Sequence, residues 1–137
     1  MATVQGQNQL NKQGIGMLVS LSVQYLLGLT TNLFVQFPQS ENASVLWKFA
    51  WTQLPLALHI IVGLLLFIGS IALLIRAIIL KDKPWIKASA IGLVAILIAG
   101  VSGAIFVPTQ SAIYSYVMGI TFIVAFLSYT GGLYYSK

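Results

Sequence analysis

Along most of the chain, the alternation of polar and apolar positions that marks a soluble helix or strand is missing. Long apolar runs are instead separated by short polar stretches. A helical membrane crossing needs about 20 apolar residues. Four such runs are present, at about 15–37, 54–75, 88–107 and 112–133. Pro38 closes the first run, Pro55 stands in the first turn of the second, Pro108 stops the third, and the Gly131-Gly132 pair ends the fourth. Proline costs a helix nothing in its first turn and breaks it elsewhere. Short linkers make consecutive helices antiparallel, so an all-α, four-helix, up-down-up-down bundle is expected, forming one domain over residues 1–137.

Each run carries a stripe of small or polar residues at steps of three and four, the side that faces neighbouring helices in lipid. In the first run the stripe is Met17, Gln24, Gly28, Thr31 and Val35, with Asn32 adjacent. In the second it is His59, Gly63, Leu66 and Ser70, and in the third Ala88, Gly92, Ala95, Ala99 and Ser102, with Gly100 and Gly103 beside them. In the fourth it is Ser115, Gly119, Phe122, Phe126 and Tyr129, next to Met118. The third run is therefore expected to be the most enclosed.

Composition agrees with the pattern. Of 137 residues, 58% are hydrophobic and 7% charged, too few charges to cover a soluble core of this bulk. A leader peptide is not expected from the first run, which is too long and has no small-x-small cleavage site. Cysteine is absent, which excludes disulfides, iron–sulfur clusters, thiolate metal sites and cysteine nucleophiles. The net charge of +5 arises from residues beside the membrane ends rather than from a basic stripe, so nucleic acid is not expected as a partner. Under this threading Lys12, Arg76, Lys81, Lys83, Lys87 and Lys137 fall on one side and only Lys48 on the other. The positive-inside rule then places both termini in the cytoplasm and predicts a multi-pass protein of the cell membrane. Trp47, Trp51 and Trp85 fall in loops, where tryptophan anchors a chain at the interface. Trp47 and Trp51 are spaced i, i+4, so a short helix lying on the membrane is expected in the outer loop. Asn42-Ala43-Ser44 in that loop reads as an N-x-S glycosylation acceptor.

Candidate chemistry gathers at one depth. Asn32, His59 and Ser102 each stand five residues from an expected outer end, roughly 7 Å in at the helical rise. Ser115 and Met118 bracket that level, and Gln24 lies deeper. His59, Met118, Asn32, Ser102 and Ser115 are thus the candidate cofactor-binding residues. His59 is the only histidine, and an ionisable residue inside a span is a functional candidate by default. No carboxylate lies inside any expected span, so catalysis of the Ser-His-acid type and zinc binding are not expected. A His59/Met118 pair could ligate a haem, and neutral imidazole could hydrogen-bond a quinone.

The stretch Gln24-Tyr25-Leu26-Leu27-Gly28, with Asn32-Leu33-Phe34-Val35 and then Leu58-His59 and Gly63, resembles a group of small, uncharacterised four-helix prokaryotic integral membrane proteins. The likeness is best over the first half of the chain. It implies the fold and a joint role for Asn32 and His59; it carries no activity. The function expected from all of this is a non-catalytic accessory or structural subunit of a larger membrane complex, in contact with the lipid bilayer and with other subunits or copies of itself. A haem- or quinone-binding bundle centred on His59 is the alternative, and a small transporter or channel component the second alternative.

Overall fold

A computed structural model of the chain describes residues 4–39 and 42–136. These form five helices: α1 (Val4–Phe34), α2 (Ala43–Thr52), α3 (Leu54–Ile79), α4 (Lys83–Thr109) and α5 (Ala112–Tyr135). Four of them, α1, α3, α4 and α5, are long and apolar enough to cross a membrane, so the chain reads as a membrane protein.

The helix boundaries have local causes. Proline stands in the first turn of both α3 and α4. Asp82 caps α4 through Oδ1, which accepts from the Trp85 amide at 2.9 Å. Between α3 and α4 the chain turns through Lys81 at φ 53°, with Lys81 N donating to Ile78 O and Asp82 N to Ala77 O. This is the Schellman arrangement, with lysine where glycine is usual. The third apolar run does not stop at Pro108: α4 continues to Thr109, with Gln110 as a left-handed cap whose amide returns to Phe106 O at 2.7 Å. A proline in the last turn forfeits one hydrogen bond but has a helical φ of its own. At the other extreme, α1 starts at Val4, well before the apolar run, and ends at Phe34, before it finishes.

Contacts between helices are made where glycine removes a side chain. Along α1 and α3, Met17 rests on Gly69, Gln24 on Gly63 and His59 on Gly28. Along α4 and α5, Trp85 meets Gly132, Tyr129 meets Gly92 and Met118 meets Gly103. Within each pair, residue numbers rise on one helix as they fall on the other. In lipid there is no hydrophobic drive to bring helices together, so close van der Waals packing of this kind holds the bundle. Its buried core includes Met17, Leu21, Leu66, Leu73, Ala95, Ile96, Ala125 and Tyr129.

Hydroxyls on the outer faces are satisfied within their own helices. Ser22, Thr30, Thr121, Ser128 and Thr130 each donate to the carbonyl four residues back, at 2.8 to 2.9 Å. That bond lets a hydroxyl face hydrocarbon without a stranded donor.

The short helix expected from Trp47 and Trp51 is α2. Asn42 caps it, its Oδ1 accepting from Ser44 N at 2.9 Å and Ser44 Oγ at 2.8 Å. Leu46 and Ala50 turn inward and are fully buried with Leu56 and Val107, while Trp51 stays half exposed. Phe37 fixes the approach, meeting Phe49 of α2 and Phe106 of α4 with ring centroids 5.6 and 5.8 Å apart. This end of the bundle is thereby capped by α2.

Candidate functional site

On α1, residues 24, 28 and 31 follow one another at steps of four and three and so share a face. Opposite them on α3, His59 and Gly63 are one turn apart. The two helices interlock reciprocally, since each polar side chain lies over the other helix's glycine. A Cβ at Gly28 would stand 3.1 Å from His59 Cε1, and one at Gly63 would stand 3.1 Å from Gln24 Nε2.

The hydrogen bonds fix the orientation of both groups. Gln24 Nε2 donates to the His59 carbonyl at 3.0 Å and lies 3.2 Å from His59 Nε2. Flipping the amide would set two oxygens 3.0 Å apart, so the nitrogen faces the carbonyl. An amide nitrogen only donates, hence His59 Nε2 accepts, and the imidazole is neutral with its proton on Nδ1. That Nδ1 is buried without a hydrogen-bond partner, as are Gln24 Oε1 and Thr31 Oγ1. The interface thus offers one donor and two oxygen atoms, set by α1 and α3, without a hydrogen-bond partner among the described residues.

The candidate residues read from the sequence differ in their surroundings. His59 is partly buried against α1, and Ser102 is buried on α4. Met118 and Ser115 are partly buried on α5, the Met118 sulfur lying 3.3 Å from where a Cβ of Gly103 would be. Asn32 is exposed on the outside of the bundle, in the last turn of α1. Because α1 ends at Phe34, Asn32 lies closer to its helix end than the apolar run suggests, and the inward-facing residue of that turn is Thr31. The helix neighbours of the two differ: His59 rests on Gly28 of α1 and Met118 on Gly103 of α4. His59 Nε2 is already engaged by Gln24. Among the described residues there is no group of three or more His, Cys, Asp or Glu side chains that could hold a metal ion.

A second polar junction ties the other end of the bundle. Asn11 Oδ1 accepts from Trp85 Nε1 at 3.1 Å, Ser136 Oγ at 3.1 Å and Gln7 Nε2 at 3.3 Å, joining α1, α4 and the chain after α5. Trp85, expected as an interfacial anchor, is instead fully buried, its indole filling the space left by Gly14 and Gly132. The signal for this was present as three small or polar residues far apart in sequence, but nothing in a single helix stripe pairs them. The Tyr129 hydroxyl is likewise buried, near Ser70 but without closing a hydrogen bond, with its ring end over Gly92.

Compared with protein-family models, curated proteins and solved structures, the chain matches none.

Proposed function

We propose that this protein is a non-catalytic, multi-pass subunit of a larger assembly in the cell membrane, and that it acts through lateral helix contacts. Its spans run up-down-up-down with both termini in the cytoplasm, a reading supported by six of the seven basic residues falling on that side. The observation that carries the role is a notch in the outer surface of α4. Gly100 has no atom within 4 Å of the place its side chain would occupy, and Ala104, one turn on, is exposed. Small residues four apart let a second backbone approach closely, which is how helices associate in lipid. The glycines within the bundle at positions 28, 63, 92, 103 and 132 are each covered by a neighbouring helix; Gly100 has the same character and no cover within the chain.

The test is native mass spectrometry of mildly solubilised membranes. The wild-type chain is expected to retain a second component, whose mass tells another subunit from another copy. A Gly100→Leu, Ala104→Leu double variant is expected to run alone with unchanged thermal stability. A wild-type chain that is monomeric at every detergent level overturns the proposal.

A second reading rests on the unpaired atoms at the α1–α3 interface. His59 Nδ1 and the Thr31 hydroxyl as donors suit the carbonyl oxygen of a quinone, and Gln24 Oε1 can accept from the O–H of its reduced form, whereas haem iron would need a ring nitrogen free of both proton and partner. The same preparation decides it. Quinone in an organic extract at one per chain favours this reading, and a Soret band favours haem.

A further inference from the structure

At the end of the bundle that holds Asn11 and Ser136, the first turns of α4 and the last turns of α5 enclose a groove of about 400 Å³ on the outer surface. Lys83 and Lys87 stand four residues apart on its α4 wall. Deeper along the groove come Ile91 of α4 and Leu127 of α5, both exposed and apolar. Gly131 lines it from α5 with no atom within 4 Å of its missing side chain, so the floor is open, and exposed Tyr135 forms the rim.

The groove therefore changes character along its length, from two ammonium groups to hydrocarbon. From Lys83 to Ile91 is eight residues, roughly 12 Å along a helix. That matches a phosphate headgroup followed by the first part of an acyl chain. Among the described residues positive charge is in excess here: Asp82, beside Lys83, is their only acidic side chain, one carboxylate against two ammonium groups, and its Oδ1 caps the Trp85 amide. Like charges four apart on a helix repel one another, and the N-terminal end of α4 adds its own positive potential. An anion between the lysines relieves both. Basic pockets between membrane helices, at the interface, are suited to anionic headgroups.

We propose that the groove between α4 and α5 is a binding site for an anionic two-chain phospholipid, whose phosphate is held by Lys83 and Lys87 and one of whose acyl chains lies over Gly131 between Ile91 and Leu127.

The test uses the full chain in detergent, titrated with phosphatidylglycerol or with phosphatidylcholine of the same acyl chains, and read by native mass spectrometry. Phosphatidylglycerol is expected to be retained about tenfold more tightly, and a Lys83→Gln, Lys87→Gln variant to lose that preference, at about threefold per lysine. Gly131→Leu, which leaves the charges in place and fills the floor, is expected to weaken both lipids. Glycerol phosphate, a headgroup without chains, is expected not to displace the lipid at equal concentration. Equal retention of the two lipids, an unchanged preference in the double lysine variant, or full displacement by glycerol phosphate overturns the proposal. Each variant is first compared with wild type by thermal unfolding without added lipid. If either does not fold, the remaining variant and the wild-type lipid comparison still decide the matter.

Discussion

Asn11 does more for this bundle than its position in a polar N-terminal stretch suggests. A carbonyl oxygen has two lone pairs, and here the two shorter bonds, from Trp85 Nε1 and Ser136 Oγ, take them, with Gln7 at the periphery. Trp85 is fully buried, so its indole N–H has no recourse to water if the acceptor is removed. Asn11→Leu is therefore expected to lower stability by about 1–3 kcal/mol, the cost of stranding a buried donor. Denaturant titration in detergent, followed by tryptophan fluorescence, measures it; an unchanged midpoint would show that Trp85 is held by its packing against Gly14 and Gly132 alone. The Gln24–His59 pair follows the same logic from the other side. The stripes that placed Gln24, Gly28 and Thr31 on one face of α1, and His59 with Gly63 on one face of α3, were legible because helical spacing alone determines them. Which group in a stripe meets which group on the next helix was not legible. Depth counted from an apolar boundary cannot resolve adjacent residues, so it points to Asn32, whereas the helix turns Asn32 outward and Thr31 inward.

The helices themselves divide into those determined by hydropathy and those determined by contact. Apolar runs mark the stretch that can sit in hydrocarbon, but a helix continues into water as long as its propensity allows, which is why α1 begins among the glutamines and asparagines that precede Gly14. It ends early for the opposite reason: residues 35–37 leave the helix so that Phe37 can pack between Phe49 and Phe106. That packing is long-range and leaves no local trace. The short helix α2 was legible from two tryptophans one turn apart, yet its 10 residues are too few to be stable alone in water. Its stability comes from the side chains it turns inward, Leu46 and Ala50. Leu46→Ala is expected to weaken this docking by about 2–5 kcal/mol, the range for a fully buried leucine, and to raise amide exchange across Ala43–Thr52 while leaving α4 and α5 protected. Trp51→Ala, at a half-exposed position, is expected to leave exchange nearly unchanged. Equal effects from the two would mean that α2 is held by the membrane surface rather than by the bundle.

At the scale of the whole molecule the governing quantity is the placement of a few charges. With 7% of residues charged, the bundle interior has no formal charge to orient it, and direction is left to the ends. Lys12, Arg76, Lys81, Lys83 and Lys87 belong to the ends of α1, α3 and α4 that gather around Asn11 and Trp85, whereas Lys48 belongs to α2 at the opposite end. Translocating the first group would expose several ammonium groups to the bilayer at once; translocating the second requires one. The absence of cysteine makes the consequence directly measurable, because any single introduced thiol is the only one in the chain. Gln39, beside the α2 end, and Lys81, in the turn between α3 and α4, are both exposed. In intact cells a membrane-impermeant maleimide is expected to label the Gln39→Cys variant and to spare the Lys81→Cys variant until the membrane is opened. The reverse pattern would invert the orientation. It would also place the lysine-lined groove between α4 and α5 in the outer leaflet, where the positive-inside argument no longer explains why its lysines are there, and recognition of an anionic headgroup would become the stronger reason for them.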